Sequence, residues 1–156
     1  MSGSPQPPNA LLLSLLNRAL ESLNRSETAQ AERFLLQALS IAPRDPNALQ
    51  LMGVTRRAQN RIEDAEAFYL QSLAVQPNQP QVHHNLGNLY RAQGQYAASA
   101  NAQRQAIRLK RDYMEAYAGL ALALSAAGEH EEAIAAGRQP LRMHPANFVI
   151  RQILAA

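Results

Sequence analysis

Leu86-Gly87-Asn88-Leu89-Tyr90-Arg91-Ala92-Gln93-Gly94 reads as the second half of a helix that approaches a neighbour closely and then turns. Gly53 stands 34 residues before Gly87, and Gly128 stands 34 residues after Gly94. Pro43, Pro77 and Pro145 fall on one grid of the same 34-residue spacing, with Arg111 at the point the prolines skip. Ala31, Ala65, Ser99 and Ala133 fall on another. Small residues and prolines in fixed phase at a period of 34 mark stacked helix–turn–helix repeats. The fold class expected is therefore an all-α solenoid of antiparallel helix pairs.

The prolines divide the chain into units 12–45, 46–79, 80–113 and 114–147, followed by a remnant at 148–156. Residues 1–9 are polar and proline-rich and read as a disordered tail or vector-derived scar, leaving 10–156 as one repeat domain. Asp45 before Pro46 has the form of a helix cap with proline in the first turn, and Pro80 opens the next unit in the same way. Asp112 with Glu115 has the spacing of a capping box for the fourth unit. Gly94 and Gly128 occupy the inter-helix turns, and Ser26 and Asn60 hold the same place in the first two units. Leu49, Met52 and Arg56 correspond in phase to His83, Leu86 and Tyr90, and to Tyr117, Leu120 and Leu124. Gly53, Gly87 and Ala121 mark where the two helices of a unit come closest. Second helices carry stripes such as Ala31-Leu35-Ala38-Leu39 and Ala65-Tyr69-Ser72-Leu73, spaced for burial.

This pattern closely resembles the tetratricopeptide-repeat family, over residues 12 to 147, and the third unit with Leu86-Gly87, Tyr90, Gly94 and Ala106 shows it best. The resemblance implies a right-handed superhelix whose concave face is lined by the first helix of each unit. Carried onto this chain, the second unit contributes Asn47, Gln50, Leu51, Val54 and Arg57, and the third contributes Gln81, His84, Asn85, Asn88 and Arg91. The fourth gives Glu115, Ala118, Gly119, Leu122 and Ser125, and the first gives Leu16, Asn17, Leu20 and Leu23. The middle of such a groove is amide-rich and basic, with apolar ends. Amides suit the backbone of an extended peptide, and Arg57 and Arg91 suit carboxylates. His84 and Asn88 have the spacing of the first pair in the carboxylate clamp of one subgroup. The clamp's lysine is absent, however, and the next unit offers Glu115 and Gly119 instead.

Two positions depart from the family pattern. Pro140 stands inside the second helix of the last unit, where it removes a backbone donor and is expected to kink or break the helix near Gln139. Arg111 replaces a proline, leaving the turn before the fourth unit less rigidly set. The remnant offers Phe148, Val149, Ile150, Ile153 and Leu154 against only Arg151 and Gln152. It reads as a capping helix that wants a further domain or a second copy of the chain.

Fifteen basic against twelve acidic residues give a net charge of +3 without a clustered basic stripe, which argues against nucleic acid as a partner. No apolar run is long enough to span a membrane. The absence of cysteine removes thiolate chemistry and disulfides. His83 and His84 are adjacent on a helix, point about 100° apart and cannot share a metal. Glu129, Glu131 and Glu132 suit a helix N-terminus without any catalytic role. No catalytic residue, metal site or cofactor motif is expected, and the segment reads as non-enzymatic. The expected function is a cytoplasmic scaffold for protein–protein interaction, taking a peptide or protein segment through Asn47, Gln50, Arg57, Gln81, His84, Asn85, Asn88 and Arg91. Two alternatives follow from the same residues. The wording of the third and fourth units is similar to bacterial repeat arms that precede sulfotransferase or glycosyltransferase domains, and the apolar C-terminal remnant suits self-association.

Overall fold

The computed structural model describes residues 8–143. Eight α-helices follow one another among these residues, with no strand. Contacts group the chain into two compact units that divide between Pro77 and Asn78. The first unit holds α1 (Pro8–Asn24), α2 (Thr28–Ile41), α3 (Pro46–Ala58) and α4 (Ile62–Val75). The second holds α5 (Pro80–Ala92), α6 (Tyr96–Leu109), α7 (Met114–Ala126) and α8 (His130–Met143). Each unit is two helix hairpins, with the repeat register the prolines predict. Pro8 and Asn9, assigned to the tail by the sequence, are helical. The C-terminal remnant, with Phe148, Val149, Ile153 and Leu154, lies outside the described residues.

All four hairpins turn in the same way. In the third, the Gln95 N–H reaches the Tyr90 carbonyl at 2.8 Å and the Gly94 N–H reaches the Arg91 carbonyl at 3.1 Å. These are the paired bonds of a Schellman ending, which requires a left-handed residue just past the helix. Ser26, Asn60, Gly94 and Gly128 supply it, at φ of 61°, 60°, 76° and 86°. The corresponding bonds at the other three turns are Glu27 to Ser22, Arg61 to Arg56 and Glu129 to Leu124.

The helix starts vary more. Asp45 caps α3, its carboxylate accepting from the Ala48 N–H at 2.8 Å with Pro46 in the first turn. Pro80 opens α5. The capping box expected from Asp112 and Glu115 does not form. Tyr113 takes the cap position of α7 without a side-chain bond to the helix. The helix consequently begins a residue too late for Glu115 to reach back to Asp112. Tyr113 is itself buried, and its hydroxyl donates to Gln81 Oε1 at 2.7 Å, which fixes the entry to α7 from a different direction. Arg111, in place of a proline, offers its carbonyl to the Tyr117 hydroxyl at 3.1 Å.

The expected break at Pro140 is also not met: α8 continues through it to Met143. A proline in the last turn deprives only the Ala136 carbonyl of its usual donor, and the ring of Pro140 is buried.

Close approach within the second and third hairpins is set by glycine on the first helix, Gly53 and Gly87. A Cβ on Gly53 would lie 2.6 Å from the ring of Tyr69 on α4. In the first hairpin the corresponding pair is Ala19 and the smaller Leu35, which share one apolar cluster with Met52. Volume is therefore traded across the seam, as close packing demands. Tyr69 is wholly buried and its hydroxyl finds no hydrogen-bond partner among the described residues, so burial pushes its pKa up to about 12.

Candidate functional site

The first-helix positions singled out in the sequence fall on two faces, one in each unit. On α3, Asn47 and Arg57 are exposed, while Gln50, Leu51 and Val54 are half-buried. Arg57 lies in the last turn, where the helix dipole favours a cation. On α1, Asn17 and Leu20 are exposed and Leu16 and Leu23 half-buried. Leu16 and Leu51 pack against one apolar cluster, while no hydrogen bond among the described residues joins the polar side chains of this face to one another.

The face of the second unit is organised differently. His84 Nδ1 lies 2.9 Å from Gln103 Oε1, and His84 Nε2 lies 3.0 Å from Asn88 Nδ2. Gln103 Nε2 is in turn 3.3 Å from Asn88 Oδ1 and 3.3 Å from the His84 carbonyl. The ring of His84 leans on Tyr113 with centroids 5.2 Å apart, at 51°. Tyr113 reaches Gln81, which is otherwise exposed. Burial, and then the nearby Glu115 carboxylate, raise the Tyr113 pKa, so its hydroxyl stays protonated and able to donate. Arg91 is exposed in the last turn of α5, three residues on from Asn88.

Two sequence-derived positions behave otherwise than a lining residue would. Asn85 is only 8% exposed, and Gly119 is buried. Ala118 is half-buried, leaving Glu115, Leu122 and Ser125 as the exposed part of α7. The residue that sequence reasoning missed is Gln103. Its one sequence signal is an amide at the register position held by Leu35 and Tyr69 in the first unit, where an apolar or aromatic side chain packs.

Among the described residues, no group of three His, Asp or Glu is placed to hold a metal ion, and no helix is long and apolar enough to cross a membrane.

Short antiparallel hairpins in one register, each with a left-handed turn residue, define a helix-hairpin repeat protein. A family model described as a tetratricopeptide repeat matches residues 22–89, and one described as a TPR repeat matches 87–128. The chain belongs to the tetratricopeptide-repeat family. Repeats of this family mediate protein–protein interaction. A search of curated proteins gives no match.

Solved structures with the same fold include Pseudomonas aeruginosa pilF, at 20% identity and a TM-score of 0.86, covering 95% of this chain and 68% of that one. A mutant Thermobaculum terrenum O-GlcNAc transferase is similar at 26% identity and a TM-score of 0.82, covering 90% of this chain but 28% of that one. The first TPR of Spaghetti bound to an HSP90 peptide is similar at 24% identity and a TM-score of 0.64, covering 70% of this chain and 87% of that one.

Proposed function

We propose that the chain is a cytoplasmic scaffold that binds an extended peptide or protein segment, with α5 and α7 as the principal face. The observation that carries this reading is the state of Asn88. Its amide spends one N–H on His84 and one lone pair on Gln103, which leaves one donor and one acceptor for a ligand. A peptide backbone offers the complementary pair at every residue. Arg91, exposed one turn further on, adds a cation suited to an acidic side chain or a terminal carboxylate. On the first unit Asn47, Gln50 and Arg57 supply a second set of amide and guanidinium contacts. The likeness to the peptide-bound TPR of Spaghetti supports the same reading. Asn85, being buried, supports the face from beneath and does not touch the ligand.

The test is selection of peptides from a random-peptide display library on the intact chain, followed by titration of the best binder against variants. Asn88→Ala and Arg91→Ala should each weaken binding by about tenfold, the equivalent of one good polar contact. Unchanged affinity in both variants would refute the assignment.

A second reading has one observation in its favour. The transferase from Thermobaculum terrenum carries a similar region as a minor part of a longer chain. On this reading the repeats are a non-catalytic arm that positions a substrate for a transferase domain. Sequencing the gene on both sides of the segment decides it, since an arm must be continuous with a catalytic domain.

A further inference from the structure

We propose that Gln103 is the positioning residue of the α5 face: it sets the tautomer of His84 and orients the amide of Asn88. Only the use of that face for ligand rests on the function proposed above.

Gln103 sits on α6 with no exposed surface. Its amide occupies a slot made by two glycines on two other helices. A Cβ on Gly87 of α5 would lie 2.5 Å from Gln103 Nε2, and a Cβ on Gly119 of α7 would lie 2.5 Å from the same atom. The corresponding Leu35 and Tyr69 show that this register position tolerates a wholly apolar or aromatic filling. A buried amide there is costly unless every polar atom is bonded. In this structure every one is.

The bonds run in one direction around a closed circuit. A carboxamide oxygen only accepts, so the hydrogen between His84 and Gln103 must sit on His84 Nδ1. His84 Nε2 is then a bare lone pair, and it accepts from Asn88 Nδ2. Asn88 Oδ1 accepts from Gln103 Nε2, which closes the ring. The second N–H of Gln103 goes to the His84 carbonyl. Turning over either amide alone would set donor against donor at one contact and acceptor against acceptor at another, and turning over the imidazole would put carbon where each nitrogen now bonds. Reversing both amides and the tautomer together would set Gln103 Oε1 against the His84 carbonyl. The circuit therefore has one consistent arrangement, and the buried glutamine anchors it. His84 and Asn88 lie at the surface, half-buried, so they inherit an orientation that water alone would not impose.

The experiment uses the intact chain with Gln103→Leu, and Gln103→Met as a second variant in case leucine fails to fold. Long-range nitrogen–proton NMR correlations of the imidazole report the tautomer directly. The parent protein should show His84 as the Nδ1–H form, with a distinct Asn88 side-chain amide slow to exchange. Either folded variant should release His84 to the Nε2–H form that water favours and collapse the Asn88 amide signals toward their solvent positions. A folded variant that keeps the Nδ1–H tautomer and the Asn88 signals overturns the proposal.

Titration with a peptide selected on the parent protein separates the two readings. Loss of about tenfold in affinity in the variants is the expected cost of disordering two contact side chains. A lost tautomer with unchanged peptide affinity would leave Gln103 as the organiser of His84 and Asn88 and refute the use of this face for ligand.

Discussion

Arg56 Nη1 lies 2.7 Å from Glu32 Oε1, an ion pair in which the arginine side chain is 10% exposed and the glutamate 25%. Gln59 completes the group: its carbonyl accepts from Arg56 at 2.9 Å and its amide donates to Glu32 at 2.7 Å. The pair joins α2 to α3 within the first unit. Its two members are unequally committed to the interior, since Arg56 Nε is buried with no partner and Glu32 keeps an edge in water. Removing the carboxylate strands a buried cation, whereas removing the cation leaves an anion that solvent can still reach. Glu32→Ala should therefore cost about 1 to 2 kcal/mol, between an exposed and a fully buried pair, and Arg56→Leu clearly less. Leucine already holds the corresponding position in the fourth repeat, as Leu124. Urea denaturation of the two variants checks the order, and equal losses would contradict it.

The same group makes stability depend on pH. The hydrogen bond from Gln59 holds Glu32 below its ordinary range against burial, which acts in the opposite sense, and the Arg56 hydrogen bond and the Arg56 and Arg61 charges add to the lowering. A carboxyl depressed in the folded state contributes stability that is fully present above its unfolded value, about 4.3. That contribution is lost as pH falls through the folded value. The stability gap between the parent protein and Glu32→Gln should thus be constant near neutrality and shrink on acidification below about pH 5. Thermal midpoints of both proteins across that range measure it. A gap that widens in acid would have the wrong sign.

How much of this was legible in the sequence differs by feature, for physical reasons. The turns were legible, because a left-handed residue is a local demand and Ser26, Asn60, Gly94 and Gly128 recur in one register. The close approach at Gly53 and Gly87 was legible for the same reason. The polar partnerships were not. Glu32 and Arg56 lie on different helices, as do Gln103 and His84, and a polar residue at a core position announces a need without naming its partner. Asp112 and Glu115 show the converse failure. Their spacing satisfies a local rule, but burial of Tyr113 shifts the start of α7 and tertiary packing wins.

Gly53 and Tyr69 form a seam that should behave as a unit. An added methyl at Gly53 meets the ring at 2.6 Å, and a stiff, wholly buried ring cannot step aside. Gly53→Ala alone should cost about 2 kcal/mol through overpacking. Combined with Tyr69→Leu it recreates the Ala19 and Leu35 pairing of the first hairpin, so the double variant should be more stable than the sum of the singles predicts. A double-mutant cycle measured by chemical denaturation gives the coupling, and strict additivity would show that the seam relaxes elsewhere.

The four turns share one geometry but not one residue, and that difference should be measurable. Ser26 adopts φ of 61° and Asn60 of 60°, in a region where side chains other than glycine are strained. Asparagine tolerates it better than serine, because its short amide can bond locally. The Schellman bonds are already in place at both turns, so glycine would keep them and release the strain. Part of that gain is offset by the greater freedom of glycine in the unfolded chain. Ser26→Gly should stabilise the first hairpin by roughly 0.5 kcal/mol and Asn60→Gly by less. The reverse change, Gly94→Ala, should destabilise by about 1 kcal/mol even though a methyl there meets nothing within 4 Å, because the penalty comes from φ of 76° and not from a clash. Denaturation midpoints for the three variants decide it. A stable Gly94→Ala would mean that this turn adopts another conformation in solution.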